Sequence, residues 1–347
     1  MSDQRVRFGI KTTPMHVSYD DIRRVWQEAD ALPEIEDAWL WDHLLPLRGP
    51  KDGQIHESWT LLSALAAQTE RLRLGLLVTS NRIRPPAVLG KIASTVDVIS
   101  GGRLVMGIGA GGTHQPPGAG GIAGENPAIA EYEAYGLSLV PPGEGVARLG
   151  ETVEILRRMW TQDDPFDFEG RYYRLRGTRN EPKPVQRPGP PLLIGGWGTR
   201  LLRLVAEQAD IWNVPGPPHN DVEFVAERGR VLDAHCADIG RDPREITRSV
   251  QVVVSYDDPA ATRATVAELI GIGVNHVVLS LPQPYPTGVA RWLVDEIIAG
   301  VRMSPQESAG VQGSGRRPEA GTARPHLTER AGTRGSCPAA APPPAPA

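Results

Sequence analysis

The dipeptide Asp42-His43 interrupts the apolar run "AWLWDHLLP" at residues 38–46. A carboxylate and an imidazole placed there cost desolvation energy unless they are paired, hydrogen-bonded or near water. An imidazole moves protons near neutral pH, and a neighbouring carboxylate orients its ring or contacts a ligand. A capping turn is the structural alternative. Two glycine clusters also follow strand-like runs. "GIGAGG" fits G-x-G-x-x-G through Gly107, Gly109 and Gly112. The following "THQPPGAGG" cannot open the helix whose N-terminus would hold a pyrophosphate, so a dinucleotide fold fails on context. A loop that lets a flat ring approach the backbone is the better reading, with a hinge as the alternative. "LLIGGWGTR" runs through Gly195-Gly196 into a helix beginning near Thr199, with Arg200 close by. Free N–H groups and the helix dipole would favour an anion there. A tight strand-to-helix turn would use the same glycines.

Other chemistries lack their residues. The eight histidines, at 16, 43, 56, 114, 219, 235, 276 and 326, include no H-x-H or H-x-x-x-H pair, which disfavours a metal hydrolase. Neither a G-x-S-x-G elbow nor a phosphate-binding P-loop occurs. His276 lies within a strand-like run and reads as a core or pore-lining side chain. The two cysteines, Cys236 and Cys337, have no metal-type spacing and suit a reducing compartment. A net charge of −4 gives no electrostatic case for nucleic acid or an anionic membrane. No apolar N-terminal segment or long apolar run suggests export or a membrane span. A soluble cytoplasmic protein is the expectation.

Strand-like and helix-like segments alternate to position these residues. The β-runs are "VRFGIK", "DAWLW", "LRLGLLVT", "RLVMGIG", "PPLLIGG", "DIWNV", "RSVQVVVSY" and "VNHVVLSL". Helical spacing appears in Ile22, Val25, Trp26 and Ala29 after a capping-box-like Ser18–Asp21, and in Leu89, Ile92, Val96 and Ile99 after Pro85-Pro86. Leu149, Val153, Leu156 and Trp160 share another helical face, and "FDFEGRYYRLRG" reads as a hairpin. Eight βα units predict an α/β fold closing into a (β/α)8 TIM barrel, with its active face at the strands' C-terminal ends. An open doubly wound sheet is the competing architecture. Residues 111–143, Gly/Pro-rich and aperiodic, read as an insertion or lid after strand four. The barrel is assigned to residues 1–303, and 304–347, ending in "AAAPPPAPA", to a disordered low-complexity tail. Trp26, Trp39 and Trp41 are placed in the core. Trp197 and Trp212, near strand ends, are candidates for the pocket wall.

The order of "WLWDH", "ESWTLLSALAAQTERLRLGLLVT", "RPPAVLGKIASTVDVISGGRLVMGIGAGG", "LGETVEILRRMW", "FEGRYYRLRG", "EPKPVQRPGPPLLIGGWG" and "ADIWN" resembles the bacterial luciferase-like superfamily. It is most similar to the branch of oxidoreductases that use the deazaflavin coenzyme F420. The resemblance covers about residues 5 to 300. It implies a TIM barrel binding a flavin-like ring at the strands' C-terminal mouth, and exposed helices of such barrels commonly form homodimers. Asp42 is then the acid at the cofactor and His43 the catalytic histidine beside the ring. Leu77-Val78 matches a non-proline cis peptide supporting the ring, and Thr79 and Ser80 match polar contacts to it. Gly107, Gly109 and Gly111 match the loop beside the cofactor, and Gly195 and Gly196 its phosphate site. Where the sugar-phosphate dehydrogenase member has a catalytic glutamate after the glycine loop, this chain has Gly112-Thr113, so glucose 6-phosphate oxidation is not expected. The implied activity is hydride transfer between F420 and a small organic substrate. The alternatives are an FMN-dependent monooxygenase and a non-catalytic flavin- or deazaflavin-binding protein.

Overall fold

A computed structural model describes residues 5–111 and 127–303. Gly112, His114, part of the expected insertion and the expected tail lie outside the described residues. The strands are β1 (Arg7–Lys11), β2 (Asp37–Leu40), β3 (Arg73–Leu76), β4 (Thr79–Ser80), β5 (Leu104–Gly109), β6 (Phe166–Glu169), β7 (Arg174–Thr178), β8 (Leu192–Gly195), β9 (Ile211–Val214), β10 (Thr247–Val253) and β11 (His276–Ser280). β6 and β7 form the expected antiparallel hairpin. The others pair in parallel in the order β3-β2-β1-β11-β10-β9-β8-β5-β4, and β3 also pairs with β5. That pairing closes an eight-stave barrel, because β3 and β4 are one stave interrupted at Leu77-Val78. The open sheet is thereby excluded.

The helices follow the sequence periodicity. In α1 (Tyr19–Asp30), the Ser18 hydroxyl accepts the Asp21 N–H, and Ile22, Val25, Trp26 and Ala29 are buried. α2 (Ser58–Ala66) is capped by the Glu57 carboxylate. α3 (Pro86–Ile99) buries Leu89, Gly90, Ala93 and Val96, while Ile99 turns to solvent. Its inward face is therefore rotated from the expected one, because Gly90 sits against Met159 of the long helix at residues 142–161. α4 (Pro127–Ala134) lies within the segment read as aperiodic. α5 (Pro142–Thr161) buries Leu149, Val153, Leu156 and Trp160 as expected. α6 (Thr199–Gln208), α7 (Val222–Asp238), α8 (Pro259–Gly271) and a final helix at residues 289–303, with a π-helical middle, complete the ring. No helix among the described residues is long and apolar enough to cross a membrane.

Strand alternation separates two cores. Phe8, Ile10, Leu40, Met106, Ile194, Val250 and Leu279 face the helices. Trp39, Leu77, Val105, Leu193, Ile211 and Val278 pack inside the barrel. At the N-terminal end, His276 Nε2 lies 3.0 Å from Asp37, both buried. Gly9 makes room for that pair, since a Cβ there would fall 1.7 Å from Asp37 Oδ1. Burial raises the Asp37 carboxyl, but the charge and hydrogen bond of His276 and the Trp39 N–H outweigh it and hold the carboxyl below its usual range. His276 is thus the expected core histidine.

Candidate active site

The same alternation that fills the barrel below empties it above. Along β5 the inward positions are Val105, Gly107 and Gly109, and along β8 they are Leu193 and Gly195. Glycine at the upper positions removes side chains where the barrel opens. The result is a cavity of about 530 Å³ whose wall includes Trp41, Val78, Gly109, Gly195, Trp197 and Glu131. The Leu77-Val78 peptide is cis, at the position expected. Val78 fills the space between two glycines: a Cβ on Gly109 or on Gly195 would come within 2.7 Å of its methyl groups.

Asp42, His43, Leu77, Val78, Ser80, Gly109, Gly111, Gly195 and Gly196 all line this cavity. Two expected residues do not. Thr79 is fully buried, with its hydroxyl lacking a partner among the described residues. Gly107 lies below the opening, where a Cβ would meet the Leu76 carbonyl oxygen at 2.0 Å. Its glycine is required by the close approach of β3 and β5 rather than by a ligand.

The Asp42 carboxylate is engaged by protein groups. Arg84 donates to both its oxygens, at 2.8 and 3.1 Å, and the Ser80 N–H donates at 3.0 Å. Arg84 also pairs with Glu57, the cap of α2. Burial lowers the Arg84 guanidinium, yet the two carboxylates outweigh it and keep it firmly charged. Asp42 lines the cavity, and its carboxylate joins that wall to the stave at Ser80 and, through Arg84 and Glu57, to α2.

His43 has a partner that the sequence reading missed. Its Nδ1 lies 3.0 Å from Glu131 of α4, and its ring meets Trp41 edge-on at 5.1 Å between centroids. The Glu131 carboxylate also accepts the Leu44 N–H and, at 3.3 Å, the Leu45 N–H. Burial pushes the Glu131 carboxyl up, but His43 and these two N–H groups together bring it below its usual range. A carboxylate on Nδ1 orients the imidazole and leaves Nε2 as the nitrogen available to a ligand. The next residue, Tyr132, shares a 2.8 Å hydrogen bond with Ser80, and the Tyr135 hydroxyl donates to the Leu44 carbonyl. α4 is thereby fastened across the cavity mouth. A start-and-stop signal was present: Pro127 at the first turn, alanine and glutamate within, and Gly136 with φ of +66° after the end.

Also in the cavity wall, Gly198 precedes α6, whose N-terminus no side chain among the described residues caps. Its first N–H groups follow directly on Gly196 and Trp197, both in the cavity wall. Arg200 is exposed and stands by Gly143 instead of the cavity. Trp197 is a wall residue, whereas Trp212 is buried and donates from Nε1 to the Gly196 carbonyl at 2.7 Å. Trp41, expected in the core, lines the cavity.

A family model for luciferase-like monooxygenases matches residues 5–332. Among curated proteins, a phthiodiolone/phenolphthiodiolone dimycocerosates ketoreductase of Mycobacterium sp. (strain JLS) is 30% identical over 214 residues, covering 59% of this chain and 49% of the relative. The chain thus spans about half of that ketoreductase's length. Among solved structures, an F420-dependent secondary alcohol dehydrogenase in complex with an F420-acetone adduct superposes with a TM-score of 0.69 at 16% identity, over 86% of this chain and 99% of that one. The monooxygenase RslO1 from Streptomyces bottropensis gives 0.65 at 20% identity, over 85% and 99%. At these identities the two structures establish a shared fold. With the family model matching nearly the whole described barrel, the chain belongs to the luciferase-like monooxygenase family.

Proposed function

We propose that the protein is a deazaflavin (coenzyme F420) dependent oxidoreductase acting on a small organic alcohol or carbonyl compound. The observation that carries this reading is the His43–Glu131 pair at the edge of a glycine-walled cavity. The residues present fit a flat ring with a phosphate arm. Val78, seated between Gly109 and Gly195, forms with them a flat wall of the cavity, and the start of α6 beside Gly196 offers N–H groups to an anion. When bound, the deazaflavin supplies the hydride chemistry at its C5. The protein's own part is orientation and proton handling. Glu131 fixes the His43 ring through Nδ1, so Nε2 gives a proton to a carbonyl oxygen or takes one from an alcohol. α4 restricts access of water to that step. Asp42, held by Arg84 and Ser80, keeps the strand end in place. The relatives that carry names for a ketoreductase and a secondary alcohol dehydrogenase support carbonyl chemistry.

The test is to titrate the purified protein with oxidised F420 and with FMN, then compare His43→Ala with the parent. Tighter binding of F420, kept in His43→Ala while turnover falls about 100-fold, is expected for an acid–base residue. Unchanged turnover would remove His43 from the mechanism. The family's monooxygenases make an FMN enzyme the second reading. Oxygen uptake on supplying reduced FMN, with no use of F420, would establish it.

A further inference from the structure

The inward positions at the top of the barrel divide into two halves. One carries the glycines of β5 and β8. The other carries Lys11 of β1, Asn213 of β9, Gln251 of β10 and Ser280 of β11, where branched apolar residues would normally pack. Above this polar half lies a second cavity of about 430 Å³. Trp41 stands in the walls of both cavities. The second wall contains Lys11, His16, Arg48 and Ser280, and among its described residues no carboxylate.

Lys11 and Ser280 are register partners on adjacent strands. The Lys11 ammonium donates to Gln251 Oε1. That amide is fixed because its Nε2 donates to Asn213 at 2.8 Å, and Asn213 donates to Ser249 at 2.8 Å. One of three ammonium hydrogens is thus used, and no ion pair neutralises the charge among the described residues. Lys11 is deep among protein atoms but keeps an accessible patch because it faces the cavity. The Ser280 hydroxyl, on a side chain more than nine-tenths buried, has no partner among the described residues. Arg48 brings a second cation to the rim. Burial and the charge of Arg48 push the Lys11 ammonium down to about 8. An uncompensated cation beside an unused buried donor is costly, and an anionic oxygen group removes the cost of both.

We propose that this second cavity binds an anionic oxygen group of the substrate, a carboxylate or a phosphate, between Lys11, Ser280 and Arg48. The substrate then extends past Trp41, with its reacting carbon beside His43. Membership of the ligand in the reaction rests on the function proposed above, whereas the anion site itself does not.

The chain has only four lysines, Lys11, Lys51, Lys91 and Lys183, which makes covalent mapping direct. The probe is pyridoxal 5′-phosphate with the full-length protein at pH 7.5. The neutral Lys11 amine condenses with the aldehyde carbon and releases water. Borohydride then delivers hydride to the imine carbon, leaving a secondary amine that peptide mass spectrometry locates. Labelling of Lys11 at least ten times faster than of exposed Lys51 is expected. Inorganic phosphate or malonate at millimolar concentration should suppress it, at constant ionic strength set with chloride. Protection by phosphate alone identifies a phosphoryl group, and protection by malonate a carboxylate. Arg48→Gln and Ser280→Ala should each weaken protection at least fivefold while Lys11 is still labelled. Equal labelling of Lys11 and Lys51, absence of protection by either anion, or unchanged protection in both variants overturns the proposal. Because labelling needs neither cofactor nor turnover, a failed anion site and a failed oxidoreductase reading are told apart.

Discussion

Replacing Glu131 by alanine should release α4 from the barrel mouth while leaving the barrel folded. The carboxylate is only 1% exposed and serves three donors: His43 Nδ1 and the N–H groups of Leu44 and Leu45. Charge-assisted hydrogen bonds contribute about 1.5–3 kcal/mol each. Three that share one carboxylate are not additive, and the alanine strands no buried charge because the His43 side chain is 30% exposed, so about 3 kcal/mol is lost in all. At a tenfold change per 1.36 kcal/mol, opening of residues 127–134 becomes roughly one to two hundred times more frequent. Hydrogen exchange reads this directly, as lost protection in α4 and at Leu44 and Leu45, with β1 and β11 unaffected. The pH dependence has a defined sign. The folded-state carboxyl lies below its ordinary value of 4.5, so the stabilisation is full above that value and is lost as pH falls through the lower folded-state value. The alanine variant should lose this acid dependence. Protection of α4 within threefold of the parent would refute the assignment of Glu131 as its anchor.

Further outcomes follow from the same contacts. Gly107→Ala drives a Cβ to 2.0 Å from a backbone oxygen and should cost about 3 kcal/mol, lowering Tm by roughly 6 °C, whereas Gly198→Ala meets nothing within 4 Å and should leave Tm unchanged. Arg84→Met strands the buried Asp42 carboxylate and should cost about 3–5 kcal/mol in urea unfolding. Adding Asp42→Asn to it should restore part of that loss. Asp37 contributes stability above its ordinary carboxyl value of 3.8 that is lost as pH falls through its lower folded-state value. Asp37→Asn should therefore flatten the acid limb of the stability curve measured by urea unfolding between pH 5 and 3.

Much of this was legible because local rules carried it. Strand periods marked all eight staves, and Ser18 caps its helix with its own hydroxyl oxygen as the capping-box pattern predicts. Asp42-His43 stood out because polar groups interrupt an apolar run. What escaped were residues whose roles depend on long-range contacts. Glu131 is 88 positions from His43, and nothing in its neighbourhood signals that it will be buried beneath an imidazole. Trp41 continues an apolar run, yet the strand ends at Leu40 and releases its indole to the opening. Gly107 and Gly109 look equivalent in sequence, but successive inward positions lie at different depths, so a side chain at one would meet the Leu76 backbone and at the other Val78 in the cavity wall.

The sequence by itself determined the βα repeat, the strands' alternation, the glycines at stave ends and the family to which these belong. Periodicity and local capping are short-range properties and survive in a linear reading. Tertiary structure alone decided that Glu131 is the carboxylate beside His43, that Asp42 pairs with Arg84 and that Lys11 faces a cavity with no carboxylate among its described residues. Burial and charge pairing are set by groups brought together only when the barrel closes, and these set the chemistry of the site.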